Sequence, residues 1–177
     1  TLRLMLDELA KRPQFTQNVV GTKFLNAFQC AIDEARYKDA YALSGQLEEL
    51  AGVSQPDENA LVLAVFAEEY PAAAARLIRM ARSTDGSALA TLDTQLFWQL
   101  SRELVRSKHS EIRLRMFRAL ADSPHLDRLE PSVRSGIANV AIRLDAENGV
   151  FSRAKMLMSE LQGPYPFLEL LANRKLE

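Results

Sequence analysis

GTKFLNAFQCAIDEARYKDAYALSGQLEEL, residues 21–50, decides the fold class of this chain. Phe24, Leu25, Phe28, Ile32 and Ala35 recur three and four apart, which puts them on one face of a helix, and Thr22 is placed to cap its start. Ala40, Leu43, Leu47 and Leu50 repeat the same spacing after a turn expected at residues 36–38. Gly52 and Pro56 end the second run. Two amphipathic helices joined by so short a turn fold back on each other, and neither can bury its stripe alone.

The same grammar runs outward in both directions. Toward the N-terminus, Leu2, Met5, Leu6 and Leu9 share a face until Pro13 stops the pattern, so residues 1–21 read as a leading helix and linker. Toward the C-terminus, Asp57 is placed to cap a helix over 58–69, with Leu61, Val62, Val65 and Phe66 turned inward. Pro71 suits the first turn of the next helix, where Ala74, Leu77, Ile78 and Ala81 recur at helical spacing. The polar run 83–87 reads as a loop. Helices are then expected over 92–107 and 111–122, with Pro124 closing the pair, and over 132–147 and 151–161, split by Asn148-Gly149. Gly163-Pro164-Tyr165-Pro166 turns into a terminal helix, so residues 164–177 are expected to cap the last apolar face. No stretch alternates as a half-buried strand would.

Tyr37-Lys38-Asp39-Ala40, Tyr70-Pro71-Ala72-Ala73, His109-Ser110-Glu111-Ile112 and Phe151-Ser152-Arg153-Ala154 can be laid over one another, with steps of 33, 39 and 42 residues between their last members. A period of that size in a helical chain marks stacked hairpins. The expected architecture is therefore all-α, an α-α superhelix of about four stacked hairpins forming one domain over 1–177. The segment Ala35-Arg36-Tyr37-Lys38-Asp39-Ala40-Tyr41-Ala42-Leu43 resembles the turn of a tetratricopeptide repeat, where an aromatic residue is followed three positions later by an alanine at the closest helix crossing. Gly149-Val150-Phe151-Ser152-Arg153-Ala154-Lys155-Met156-Leu157 resembles it too and adds the turn glycine. The resemblance implies a concave surface that binds a protein or peptide; HEAT-like repeats are the second choice.

Composition bounds the function. An apolar content of 47% and a charged content of 25% are those of a globular domain. The longest apolar stretches fall short of the roughly 18–20 residues that span a bilayer, so no membrane insertion is expected. Cys30 is the only cysteine, which excludes an intramolecular disulfide; beside Phe28, Ala31 and Ile32 it reads as a small core residue in a reducing, cytoplasmic setting. The chain opens at Thr1 and closes on Lys175-Leu176-Glu177, as expected of a piece trimmed from something longer.

Catalytic readings find little to stand on. His109 and His125 are the only histidines, and both fall at element edges outside any motif. No paired-histidine metal helix, nucleophile elbow or glycine-rich phosphate loop occurs, so no metal or cofactor is expected. Asp33-Glu34, Glu48-Glu49 and Glu68-Glu69 are adjacent pairs whose members point about 100° apart on a helix and read as solvated faces. Trp98, among Leu96, Phe97 and Leu100, reads as core.

Charge is segregated instead. Residues 1–75 carry six Lys+Arg against eleven Asp+Glu, and residues 76–118 carry nine against four. Arg76, Arg79, Arg82, Arg102, Arg106, Arg113, Arg115 and Arg118 form a candidate basic face spanning two hairpins. Internal ion pairing is the first expectation for these arginines, an acidic protein or peptide partner the second, and nucleic acid the last, because the whole chain carries a net charge of −1. The leading functional expectation is a non-catalytic protein-interaction scaffold or adaptor. An accessory or self-association domain of a larger enzyme comes second, with homo-oligomerisation through the acidic front and basic middle, and a HEAT-like nucleic-acid-binding domain third.

Overall fold

A computed structural model describes residues 19–51 and 57–147, with side chains over 22–46 and 57–143. The described chain is helical: α1 (Val19–Asp33), α2 (Tyr37–Ala51), α3 (Asp57–Phe66), α4 (Tyr70–Arg82), a single turn α5 (Ser87–Ala90), α6 (Thr94–Arg106), α7 (Ser110–Ala121), a 3-10 turn (Leu126–Arg128) and α8 (Pro131–Glu147). No strand occurs among the described residues. The expected leading helix, the Asn148-Gly149 turn and second helix of the fourth hairpin, the turn at Tyr165 and the terminal helix lie outside the described residues.

The chain divides into two compact units, Thr1–Leu77 and Ile78–Glu177, the division falling within α4. In the first, α1 packs on α2 and α2 on α3. Phe28, Ala31, Ala40 and Leu63 form a sealed cluster, with Phe24, Leu25, Ile32, Tyr41 and Leu43 packed around it. Of the apolar spacing read from residues 21–50, Phe24, Leu25, Phe28, Ile32, Ala40 and Leu43 build this core; Ala35 is exposed because it is a turn residue beyond the end of α1, and the side chains of Leu47 and Leu50 lie outside the described residues. In the second unit α7 packs on both α6 and α8. Phe97, Leu100, Leu104, Met116, Phe117, Leu120, Val133 and Ile137 are buried there. Phe97 and Phe117 meet across α6 and α7 with ring centroids 5.6 Å apart.

Three hairpins turn on one backbone device. After α1, Arg36 N–H donates to Ala31 C=O (2.8 Å) and Ala35 N–H to Ile32 C=O (3.1 Å). After α3, Glu69 N–H donates to Ala64 C=O (2.9 Å) and Glu68 N–H to Val65 C=O (3.1 Å). After α6, His109 N–H donates to Leu104 C=O (2.8 Å) and Lys108 N–H to Val105 C=O (3.1 Å). This is the Schellman arrangement, which satisfies the last carbonyls of a helix by sending one residue left-handed. Ala35, Glu68 and Lys108 are those residues, with φ of 56°, 64° and 62°. In each case the next residue's carbonyl, on Arg36, Glu69 or His109, accepts the first bond of the following helix.

That shared turn corrects the repeat register. The first residues of the three second helices are Tyr37, Tyr70 and Ser110, so the position of Ala40 and Ala73 is held by Arg113, with steps of 33 and 40 residues. His109, set against Tyr37 in the sequence reading, is one residue early, because no alanine stands at that crossing to fix the alignment.

Several element bounds also differ. Thr22 does not cap α1, which begins at Val19. The first turn is at 34–36, so Tyr37 and Lys38 already belong to α2. α3 ends at Phe66, three residues before the expected stop, and Phe66 is 45% exposed where an inward face was expected. The 83–87 loop is shorter because Asp85 takes the Ser87 amide (3.0 Å) and starts α5. Asp93 caps α6 by accepting from the Leu96 amide (2.7 Å). Cys30 is exposed, not core, and its Sγ donates to Glu34 Oε1 (3.3 Å). Its apolar neighbours in sequence point elsewhere, since successive helical residues diverge by about 100°.

Candidate interaction surfaces

The eight arginines singled out by sequence do different work. Arg76 reaches back from α4 to α3, its Nη1 3.4 Å from Asp57 Oδ1, with both side chains largely covered. Arg113 is half-buried against α6: its Nε donates to Ser101 Oγ (2.8 Å) and its guanidinium carbon lies 4.8 Å from the Phe117 ring centroid. Burial lowers the Arg113 pKa from its ordinary value, as it must for a cation taken partly out of water. Arg106 is exposed and pairs with Glu103 Oε1 at 2.8 Å. Arg79, Arg82, Arg102, Arg115 and Arg118 are exposed. Two of the eight are therefore committed to holding helices together. The exposed arginines in the second unit lie on α4, α6 and α7, and Arg102 and Arg106 flank Val105, which is 50% exposed.

Sequence reading missed a second surface. Ala35, Arg36, Tyr37, Lys38, Asp39, Phe66 and Glu68 line a cavity of about 440 Å³ in the first unit. It exists because the first two hairpin turns lie side by side: the Tyr37 and Phe66 rings have centroids 5.1 Å apart at 33°, and Lys38 Nζ stands 2.8 Å from Glu68 Oε2. Arg36 bridges Glu34 Oε2 (2.8 Å) and Asp39 Oδ2 (2.6 Å). The Glu34 carboxyl is held below its ordinary pKa first by the hydrogen bond from Arg36 and then by that from Cys30, and Lys38 is raised by its bond to Glu68. These pairs are solvent-exposed, so water and salt screen them, they add little to stability and they rearrange readily. The cavity lining comes from positions about thirty residues apart, and only the exposure of Phe66 at the end of α3 could have signalled it.

A third cluster ties the 83–87 loop to the 3-10 turn in the second unit. Arg128 Nη1 donates to Asp85 C=O (2.6 Å), and the His125 ring lies over Gly86, whose φ is 62°. A Cβ on Gly86 would stand 2.3 Å from His125 Cγ, so this glycine is required twice. His125 Nε2 is 3.2 Å from Thr84 C=O. The cluster reads as bracing of a loop.

Among the described residues no group of three or more His, Cys, Asp or Glu is placed to hold a metal ion, and no helix is long and apolar enough to cross a membrane. Compared with known proteins, the chain matches no family model, no curated protein and no solved structure.

Proposed function

We propose that this chain is a non-catalytic helical-hairpin scaffold that holds another protein, in the manner of tetratricopeptide-like repeats. The observation that carries the reading is the turn used three times, at Ala35, Glu68 and Lys108, with one backbone and different side chains. A repeated frame with variable exposed residues is how hairpin arrays build recognition surfaces. The outward residues at those turns run from mixed and aromatic around Arg36, Tyr37 and Phe66 to basic around Arg106 and Lys108. Surfaces of that kind suit a protein segment carrying both apolar and charged side chains, with acidic groups favoured near the arginines.

The test is affinity capture on the immobilised domain at about 50 and about 500 mM salt, a range across which surface attraction is progressively screened. Reversal of Arg102, Arg115 and Arg118 to glutamate is the variant; Arg76 and Arg113 are left alone because they brace helices. A protein retained at low salt, and lost both at high salt and from the variant, supports the reading. Retention of the same protein by the variant removes the arginines, and retention of no protein removes the scaffold function.

A further inference from the structure

Val105 stands on the last turn of α6 and is 50% exposed; Phe66 stands at the end of α3 and is 45% exposed. They are the large apolar side chains most open to solvent among the described residues. By the shared turn, Val105 is equivalent to Ile32 and Val65. Ile32 packs on the Phe28 cluster, and Val65 is 1% exposed. The position that the first two hairpins cover is therefore open in the third, where it sets an apolar side chain between Arg102 and Arg106 on the surface.

The two apolar sites sit in opposite fields. Around Val105, residues 94–121 hold six Lys+Arg and two Asp+Glu, with Arg102 one turn before it and Arg106 beside it. In the first unit the described side chains include four Lys+Arg and seven Asp+Glu, and Asp39 and Glu68 line the cavity wall beside their partners Arg36 and Lys38. The cavity of about 440 Å³ offers the Tyr37 and Phe66 rings to a branched apolar side chain and to an arginine stem, and Asp39 and Glu68, whose pairs with Arg36 and Lys38 are solvent-exposed, take an incoming guanidinium by exchange of partner. Each surface is formed within one unit.

We propose that copies of this chain associate head to tail, Val105 with Arg102 and Arg106 of one copy seating in the Tyr37–Phe66 cavity of the next. The contact joins two different surfaces, so every open assembly keeps one unused knob at one end and one unused cavity at the other, and growth continues until the chain of copies closes or dissociates. The inference rests on the scaffold reading and names the partner as a second copy.

Sedimentation velocity on the full chain from about 10 to about 500 µM tests it, a range suited to a contact of modest free energy. Species larger than a monomer should grow with concentration and recede between about 50 and about 500 mM salt. Val105→Glu, facing the acidic cavity, and Phe66→Arg, filling it with a cation, should each weaken association about tenfold or more. Mixed, they should form a dimer and nothing larger, because the Val105→Glu copy keeps an intact cavity and the Phe66→Arg copy an intact knob. Circular dichroism melts establish that both fold, and Val105→Ser with Phe66→Ser repeats the test without charge if either does not. A monomer at every concentration overturns the inference, as does undiminished association of either variant or a mixture that stays monomeric. If the chain stays monomeric yet still retains a different protein in the salt-sensitive capture, the inference fails while the scaffold reading stands.

Discussion

Ala35, Glu68 and Lys108 each occupy a left-handed conformation with a side chain that disfavours it. The turn accepts them because the hydrogen bonds to the third-last and second-last helical carbonyls require that conformation, whichever residue supplies it. Lys108 is exposed, so Lys108→Gly should stabilise the fold by about 0.5–1 kcal/mol in urea unfolding. Lys23→Gly, in the interior of α1, should cost about 1 kcal/mol in the same assay. Equal signs for the two would mean that the turn does not fix the backbone at Lys108. Asp85 makes a separate prediction. Its carboxylate accepts from the Ser87 amide first, then from the Ser87 and Ser83 hydroxyls, which lowers its pKa. A carboxyl depressed in the fold contributes stability above its unfolded pKa of about 3.9, and loses it as pH falls through the lower folded value. The protection of the Ser87 amide from hydrogen exchange, measured against the intrinsic rate at each pH, should therefore hold near neutral pH and fall selectively in that acid range. In Asp85→Ala, which removes the acceptor, the protection should be lost at every pH.

At the scale of helices, the pairs Phe28 with Ala40, Leu61 with Ala73 and Ser101 with Arg113 occupy equivalent crossing positions, each twelve residues apart. The first two place a large residue on the first helix and alanine on the second; the third reverses the order and joins its members by the 2.8 Å bond. Arg113→Ala should cost about 2–3 kcal/mol, from the emptied volume and the lost partner of Ser101. Ser101→Leu with Arg113→Ala should recover most of that loss by restoring the arrangement of the second hairpin, and urea unfolding of the four corners of the cycle measures the coupling. Gly136 on α8 makes a second close approach: a Cβ there would lie 2.3 Å from Trp98 Cη2, and that ring is held edge-on to Phe97 at 4.9 Å. Overpacking of about 1–3 kcal/mol outweighs the roughly 1 kcal/mol that alanine gains over glycine in a helix. Gly136→Ala should thus lower stability and red-shift the emission of the single tryptophan. Helix existence was legible because apolar residues recur at helical spacing around Phe28, Leu61 and Leu100. Turn position was not, because none of the three left-handed residues is a glycine, and the third register slipped where Arg113 replaces alanine. Trp98, read as core, is only half-buried, with the outer edge of its benzo ring set against Gly136 of α8.

Across the molecule, the arginines that the sequence groups into one basic stretch divide between helix bracing and solvent. The 76–118 segment is basic by count, yet Arg76 neutralises Asp57, Arg106 neutralises Glu103 and Arg113 lies half-buried between α6 and α7. Sequence shows which charges exist and not which are spent internally, so the arginines were legible and their division of labour was not. The aromatic cavity was illegible for a related reason: Tyr37 and Phe66 come together through the stacking of two turns, and no local motif records it. The same charges weigh against nucleic-acid binding, the third function expected from sequence. A duplex-binding protein that makes several phosphate contacts loses affinity steeply with salt, with a slope near −0.9 per phosphate neutralised. Residues 19–77, with more than twice as many acids as bases, would repel the same backbone, and the exposed arginines of α6 and α7 share their helices with Glu103 and Glu111. Gel-shift titrations with a mixed-sequence DNA duplex at about 50 mM salt should therefore yield no complex at concentrations where the chain associates with itself. A complex that forms at about 50 mM and vanishes at about 200 mM, with Arg102, Arg115 and Arg118 contributing to the salt slope, would replace the protein-binding reading with a nucleic-acid one.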